Sequence, residues 1–475
     1  MYETVIGLEV HVQLNTRSKV FCADDASFGG EPNTHISIIS LAQPGTLPRL
    51  NERVVESAVK VGLAMGCTID QASYFDRKNY FYPDLPKGYQ ITQDNKPICV
   101  GGSVRIGERV VNIHHIHIEE DAGKSIHDQD PQDSLIDLNR AGVPLLEIVS
   151  QPDLRSAAET TAFMDEIRRL VRWIDVSDGN MEEGSMRCDV NISVRKMGET
   201  TYGQRCEIKN VNSMRFARKA IEFETTRQIE ILEQGGTVQQ QTRGFDPATG
   251  TTYAQRDKEN AHDYRYFPEP DLPPIIISDA QLQSIKASMP ALPAEMFAHF
   301  TTTLQLPAYD ADVLTQEREV AMWFSALTQD TSPTIAKGLS NLTINKLLPW
   351  CAEMKCALAD CPVPFEHWKG LVQLIEDGKI SASAANQKLV PAMLEQPNQT
   401  AADLAQALNL LQSADNDFLA NIINEVVARF PDKVAEYKKG KKGLIGMFMG
   451  EIMKAAKGKA EPKTTQAILE KFLNQ

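Results

Sequence analysis

The sequence predicts a multidomain α+β protein, with strands and helices mixed in the first part and helices alone afterwards. Three observations predict this. A chain of 475 residues exceeds what one hydrophobic core supports. Alternating apolar and polar positions, interrupted by proline-rich loops and a few amphipathic helices, run to about residue 290. From about Ser288 onward the alternation is gone and helical periodicity remains.

The first element is a strand over Tyr2–Leu14, whose even positions are almost all apolar. A helix starts at Ser156, because S-A-A-E puts Glu159 where a capping box needs it, and Phe163, Ile167, Leu170 and Val171 form one stripe. A second helix runs from about Ser213 to Glu233 and stops at Gly235-Gly236. The proline-rich stretch FPEPDLPPIIIS, 267–278, ends the first domain. ADVLTQEREVAMWFSAL, EHWKGLVQLIEDGKI and SADNDFLANIINEVVARF then read as amphipathic helices, a helical middle followed by a small helical tail.

Composition excludes several classes. Hydrophobic residues make up 42% and charged residues 24%, the proportions of an ordinary folded protein. No basic leader and no apolar run of membrane-spanning length is present, so a cytoplasmic protein without a membrane partner is expected. Eight cysteines without a signal peptide read as reduced thiols, and Cys351, Cys356 and Cys361 as structural. A net charge of −14 repels polyanions unless a local basic patch exists. One does: from Lys433 to the end, ten lysines stand against four glutamates.

The candidate chemistry lies in the first part. Glu9, His11 and Gln13 share one face of the first strand, with neighbours about 7 Å apart, close enough to converge on one ion; a solvated strand face fits this segment equally well. In IHHIHIEEDAGKSIH, 113–127, alternation puts His115, His117 and Glu119 on one face and His114 and Glu120 on the other. Glu119, Glu120 and Asp121 repel one another unless cations offset them, and Lys124 is available for one. Glu147, in the apolar strand LLEIV, needs a partner: a metal, or an ion pair with a residue such as Arg140. Oxygen ligands with one imidazole suit Mg²⁺ or Mn²⁺ better than zinc. No GxxxxGK[ST] loop occurs. FDRKNYFYPDLPKGYQIT (75–92) and DYRYFPEPD (263–271) could hold phosphates or stack a base, or serve as structured loops.

The strings ETVIGLEVHVQL, FDRKNYFYPDLPKGYQIT, EEDAGKS, DLNRAGVPLLEIVS, MEEGSMRCDVNIS, EIKNVNS, DYRYFPEPDLPP and KGKKGLIGMFMGEIMKAAKGKAEP together resemble the GatB family, the B subunits of aspartyl/glutamyl-tRNA amidotransferases. The resemblance runs nearly end to end. It implies a cradle domain with an antiparallel sheet, similar to the glutamine synthetase fold, over 1–290, a helical domain over 291–408 and a YqeY-like tRNA-binding tail over 409–475. It also implies a reaction: ATP phosphorylates the side-chain carboxylate of Glu on tRNA(Gln) or Asp on tRNA(Asn), and ammonia displaces the phosphate. The family's A subunit makes the ammonia from glutamine, and a small C subunit joins the other two in a heterotrimer.

Carried onto this chain, the family's Mg²⁺ site falls on Glu9, His11, Glu120 and Glu147; strand phase by itself leaves Glu119 and Glu120 open. Lys78 and Lys87 join the catalytic set, and Lys124 and Arg265 lie on the path of phosphate, ATP or ammonia. In the tail, Ile445, Met449, Ile452 and Met453 form a packing stripe, and Lys438, Lys439, Lys441, Lys442, Lys454, Lys457 and Lys459 grip the tRNA backbone. Cys22 stands alone where many relatives carry cysteine pairs, so no zinc is expected, and Gln151 replaces an acid in SQPD. The competing readings are a tRNA-binding scaffold without chemistry and a free-standing metal-dependent hydrolase.

Overall fold

The computed structural model describes residues 1–127, 129–130, 132–257, 264–411, 416–456, 460 and 462–474. It divides into two compact units, Met1–Leu292 and Pro293–Gln475.

The first unit is built on a twisted sheet. Its long strands are β1 (Tyr2–Gln13), β4 (Arg109–Glu120), β5 (Pro144–Ser150), β6 (Met186–Lys196), β7 (Cys206–Val211), β8 (Gln241–Asp246) and β9 (Thr251–Asp257), and a side hairpin is made by β2 (Asp76–Asn79) and β3 (Tyr89–Thr92). The long strands lie in the order β9-β8-β7-β6-β1-β5-β4, and short strands extend the β4 end. β1 is thus central, antiparallel to β5 on one side and β6 on the other. The expected antiparallel sheet is in fact mixed, because β7 and β8 run parallel. Between them lies the helix Met214–Glu233, and a crossover helix is what returns a chain in the same direction.

Alternation along β1 separates two chemistries. Val10 pairs in register with Cys188 of β6 and Ile148 of β5, and Ile148 pairs with Ile116 of β4. All four are buried. Helix α1 (Glu52–Ala64) and helix α2 (Ala157–Trp173) cover this face: the Cys188 thiol meets Met164 Sδ at 3.5 Å, and the Cys99 thiol, beside Ile116, meets the Ala58 carbonyl at 3.6 Å. Burying such side chains stabilises the sheet by about 1.5–3 kcal/mol each. Odd positions face the other way and carry the polar residues. α2 starts at Ser156, whose hydroxyl accepts from Glu159 N at 3.2 Å. Met214–Glu233, here α3, begins one residue after Ser213.

Among the described residues every element of the second unit is helical. ADVLTQEREVAMWFSAL forms two helices, Ala308–Leu314 and Arg318–Leu327. The break follows from Thr315, whose hydroxyl bonds the carbonyls of Ala311 (2.8 Å) and Asp312 (3.2 Å) and closes the first helix. EHWKGLVQLIEDGKI contributes Phe365–Glu376, and the next expected helix is observed over Asn416–Arg429, its first residues lying outside the described ones. Ile423, Val426, Tyr437, Phe448, Ile452, Leu469 and Leu473 make a core of their own within residues 416–474. The stripe of helix Ile445–Ala455 centres on Phe448 and Ile452, with Ile445 and Met449 at its edge and Met453 on a neighbouring cluster.

Candidate active site

On the polar face of the sheet, strand register brings together side chains from distant parts of the sequence. His11 stands opposite Glu147, and Glu147 opposite His117. The Nε2 atoms of both histidines lie 3.4 Å from Glu147 Oε2, and Glu119 approaches His117 at 3.5 Å and His11 at 3.9 Å. Ligand atoms of His11, Glu119 and Glu147 all fall within 4.8 Å of one another.

One strand pair away, Glu9, Asp189 and Glu207 form a second trio within the same span. Lys209 Nζ lies 2.5 Å from both Asp189 and Glu207, and the Asn191 side chain donates to Glu9 at 2.9 Å.

Electrostatics follow the geometry. Burial and then Glu147 push the carboxyl of Glu9 up. Burial works against a charged imidazole at His117, yet Glu147 and Glu119 lift it to about 10; at His11 the same contest also ends upward. Against burial, His117 and His11 hold Glu147 well below the carboxylate range. His115, stacked on His117, is pushed down to about 4 by burial and by its histidine neighbours. Three carboxylates of Glu9, Glu119 and Glu147 on one face demand positive charge. An imidazole nitrogen with carboxylate oxygens at this spacing could hold a divalent cation.

Sequence expectation and geometry differ at three places. Glu9, expected to share one ion with His11 and Glu147, groups instead with Asp189 and Glu207. Glu120 leaves β4 on the opposite side from Glu119. It ion-pairs with Lys87 and accepts from Ile91 N at 2.8 Å. Lys87 and Glu120 line a cavity of about 260 Å³ together with Lys19 and Phe21. Arg140, the alternative partner for Glu147, instead donates to the carbonyls of Ala122 (2.9 Å) and Gly123 (2.6 Å), with Asp121 at 3.7 Å. Histidines from flanking strands, and not an arginine from the adjoining loop, balance Glu147.

The remaining candidates are dispersed. Lys78 is half-buried, and Glu119, Tyr266 and Glu147 raise its pKa against the effect of burial. Lys124 is exposed at a separate cavity of about 760 Å³, which Gln13, Arg140 and Arg187 also line. The turn before it requires Gly123, where a Cβ would lie 2.9 Å from the Asp137 carbonyl oxygen. Arg265 is exposed in a left-handed conformation, φ 46°. Lys438, Lys439, Lys441, Lys442 and Lys454 are exposed on the tail; Lys457 and Lys459 lie outside the described residues.

The sequence reading passed over Asp189, Glu207 and Lys209, although the signal was present. Period two puts Asp189 on the polar face of β6 with Arg187 and Asn191, and Glu207 and Lys209 on one face of β7.

This sheet face bears a trio of one imidazole and two carboxylates beside a trio of three carboxylates, and residues 4–283 match the family described as the GatB/GatE catalytic domain. Residues 322–473 match a further GatB domain. The chain belongs to the GatB family. It is similar to the B subunit of the aspartyl/glutamyl-tRNA(Asn/Gln) amidotransferase of Chlorobium luteolum, 46% identical over 476 residues that cover 99% of each chain. The protein of the same name from Neisseria meningitidis serogroup B is 46% identical over 473 residues, 99% of each chain. That of Myxococcus xanthus is 45% identical over 476 residues, 99% of this chain and 98% of its own.

Proposed function

We propose that this chain is the B subunit of a glutamine- and ATP-dependent amidotransferase. It converts Glu-tRNA(Gln) to Gln-tRNA(Gln), Asp-tRNA(Asn) to Asn-tRNA(Asn), or both, in the cytoplasm, in a heterotrimer with the A and C subunits. The observation that carries this reading is the convergence of His11, Glu119 and Glu147 on one sheet face of a GatB-family chain. The first unit acts as the glutamine synthetase-like cradle, and the second holds the helical domain and the tRNA-binding tail.

The chemistry asks for what that face offers. A carboxylate is a poor electrophile, so ATP converts it to an acyl phosphate with release of ADP. Ammonia then adds to the acyl carbon, and inorganic phosphate leaves as the amide forms. His11, Glu119 and Glu147 would hold Mg²⁺, with Glu9, Asp189 and Glu207 as the neighbouring acidic trio. When bound, the cation neutralises charge on the phosphoryl oxygens.

The chain's own groups supply the rest. Lys78, held charged beside Glu119 and Glu147, takes up negative charge on the transferring phosphoryl group. His117 keeps Glu147 ionised and turned toward His11. Lys87 paired with Glu120 lines the cavity of about 260 Å³ and, with Lys124 and Arg265, serves the path of phosphate or ammonia.

The test is coexpression with the A and C subunits, following ATP-dependent conversion of Glu-tRNA to Gln-tRNA. Glu9→Gln and Glu147→Gln should each stop amidation while glutaminase activity survives. Undiminished amidation in both variants would remove the metal-site reading.

A further inference from the structure

The two aromatic strings that the sequence left open are joined in space. The short strand β10 (Phe267–Pro268) pairs with β2 through Phe267–Arg77 and Pro268–Asp76, and β2 pairs with β3. Asn79 fastens the junction: its backbone N–H donates to the Tyr264 carbonyl at 3.0 Å, and its side chain donates to the carbonyls of Tyr264 (3.2 Å) and Arg265 (2.9 Å).

The consequence is a continuous run of rings. Tyr82 contacts Tyr80 with centroids 5.9 Å apart, Tyr80 contacts Tyr264 at 6.0 Å, and Tyr264 contacts Tyr266 at 6.0 Å, all edge to face. Lys78 Nζ lies 5.0 Å from the Tyr264 ring and 5.8 Å from that of Tyr80, and its charge is felt by Glu119 and Glu147. Lys78 thus links the middle of the run, Tyr80 and Tyr264, to the charge of the carboxylate cluster. At the Tyr82 end Phe81 is 86% and Tyr82 57% exposed, against 37% for Tyr266 at the other end. Two neighbouring aromatic side chains beside a candidate active site are therefore open to water and available to a ligand.

We propose that this run, with Phe81 and Tyr82 at its mouth, is a stacking platform for an unpaired adenine, namely the 3′-terminal nucleoside of the aminoacyl-tRNA. The proposal rests on the function given above, which requires an aminoacyl ester at a strand end to reach Glu147. Aromatic rings stack any unpaired base, and a neighbouring cation adds to the attraction. The adenine of ATP has the same chemistry, but exposure decides between the two sources. A free nucleotide is held by enclosure on most of its surface. A strand end delivered by contacts elsewhere on its own molecule arrives at high effective concentration and needs only an open face.

The experiment uses the assembled three-subunit enzyme and tRNA carrying 2-aminopurine at its terminal position. Binding to the wild-type enzyme should quench the fluorophore through stacking. Tyr82→Ala combined with Phe81→Ala should abolish the quenching, and Tyr82→Trp in the Phe81→Ala background should restore it. In steady state the double variant should raise the apparent KM for aminoacyl-tRNA about 10-fold or more, with the KM values for ATP and glutamine at wild-type levels.

Unchanged quenching and tRNA KM in the double variant would overturn the platform. A raised KM for ATP alone would also overturn it, since the rings would then belong to the nucleotide cofactor. Quenching is read without turnover, so it judges the platform even if the wild-type enzyme fails to amidate, which would instead count against the proposed function.

Discussion

His11 and Glu147 face each other across the β1–β5 pair, with Nε2 and Oε2 3.4 Å apart. His117, from the next strand, completes the contact at the same distance on the same oxygen. One half-buried carboxylate oxygen is thus shared by two imidazoles, and Glu119 stands close enough to bring a second carboxylate to the same point.

Glu119 and Glu120 should separate cleanly. Mn²⁺ binding, followed by electron paramagnetic resonance on the assembled enzyme, should weaken about 10- to 100-fold in Glu119→Gln, the range for disturbing a metal site's ligand environment. Glu120→Gln should leave it within about 3-fold, because that side chain pairs with Lys87 on the far side of the strand. Equal losses in both would mean that the cation bridges the strand.

Asp121 should govern acid stability. Its buried carboxylate accepts from Arg187 at 2.8 and 3.0 Å and from Gln13 at 2.7 Å. Burial opposes its ionisation, but Arg187 and Arg140 hold its pKa down at about 2. A depressed folded-state pKa means that the stabilisation is complete above the unfolded value near 4 and is lost as pH falls toward 2. That amounts to something on the order of 2–3 kcal/mol. Urea denaturation between pH 5 and pH 2 should show this slope in the wild type and a flatter one in Asp121→Asn, which at neutral pH should be destabilised by about 2–3 kcal/mol.

Replacing Lys438, Lys439, Lys441 and Lys442 together by alanine should reduce the salt dependence of tRNA binding. Each lost phosphate contact removes about 0.7–0.9 from the slope of log K against log salt, so a flattening of about 2 to 3 is expected. Lys441 contributes least, because Glu436 already holds it at 3.1 Å. An unaltered slope would place the tRNA contacts elsewhere.

Phe448→Ala should weaken tRNA binding by a different route. Phe448 is fully buried in the tail's own core, and truncating such a ring costs about 3–5 kcal/mol. Circular dichroism should show loss of helix, whereas the lysine variant should retain the wild-type spectrum. Tail binding that survived the loss of structure would contradict the role given to the fold.

Much of this site was legible in the sequence because strand alternation is local. A period of two places Glu9, His11 and Gln13 on one face of β1 whatever surrounds it, and a lone carboxylate in LLEIV announces a partner because burial of an unpaired charge is costly. The helix at Ser156 is legible for the same reason, since a serine N-cap and its stripe span only a few residues, although the Glu159 carboxylate accepts from Arg155 N and Arg109 and does not close the expected capping box. The GatB resemblance was equally readable, resting on contiguous strings.

Which strands stand beside β1 is a different matter, because pairing joins segments far apart in the chain and is settled by the register that buries Val10, Ile148, Ile116 and Cys188 together. Only that register brings Asp189 beside Glu9, sets two histidines on Glu147 and leaves Arg140 to the loop carbonyls. The same holds for Glu119 and Glu120: adjacent residues on a strand are bound to diverge, but which of them looks toward His11 depends on the strand's place in the sheet. Local sequence dictated the kinds of side chain at the site and the family; strand pairing settled which of them meet, because a one-residue shift in register would have turned every one of them to the opposite face.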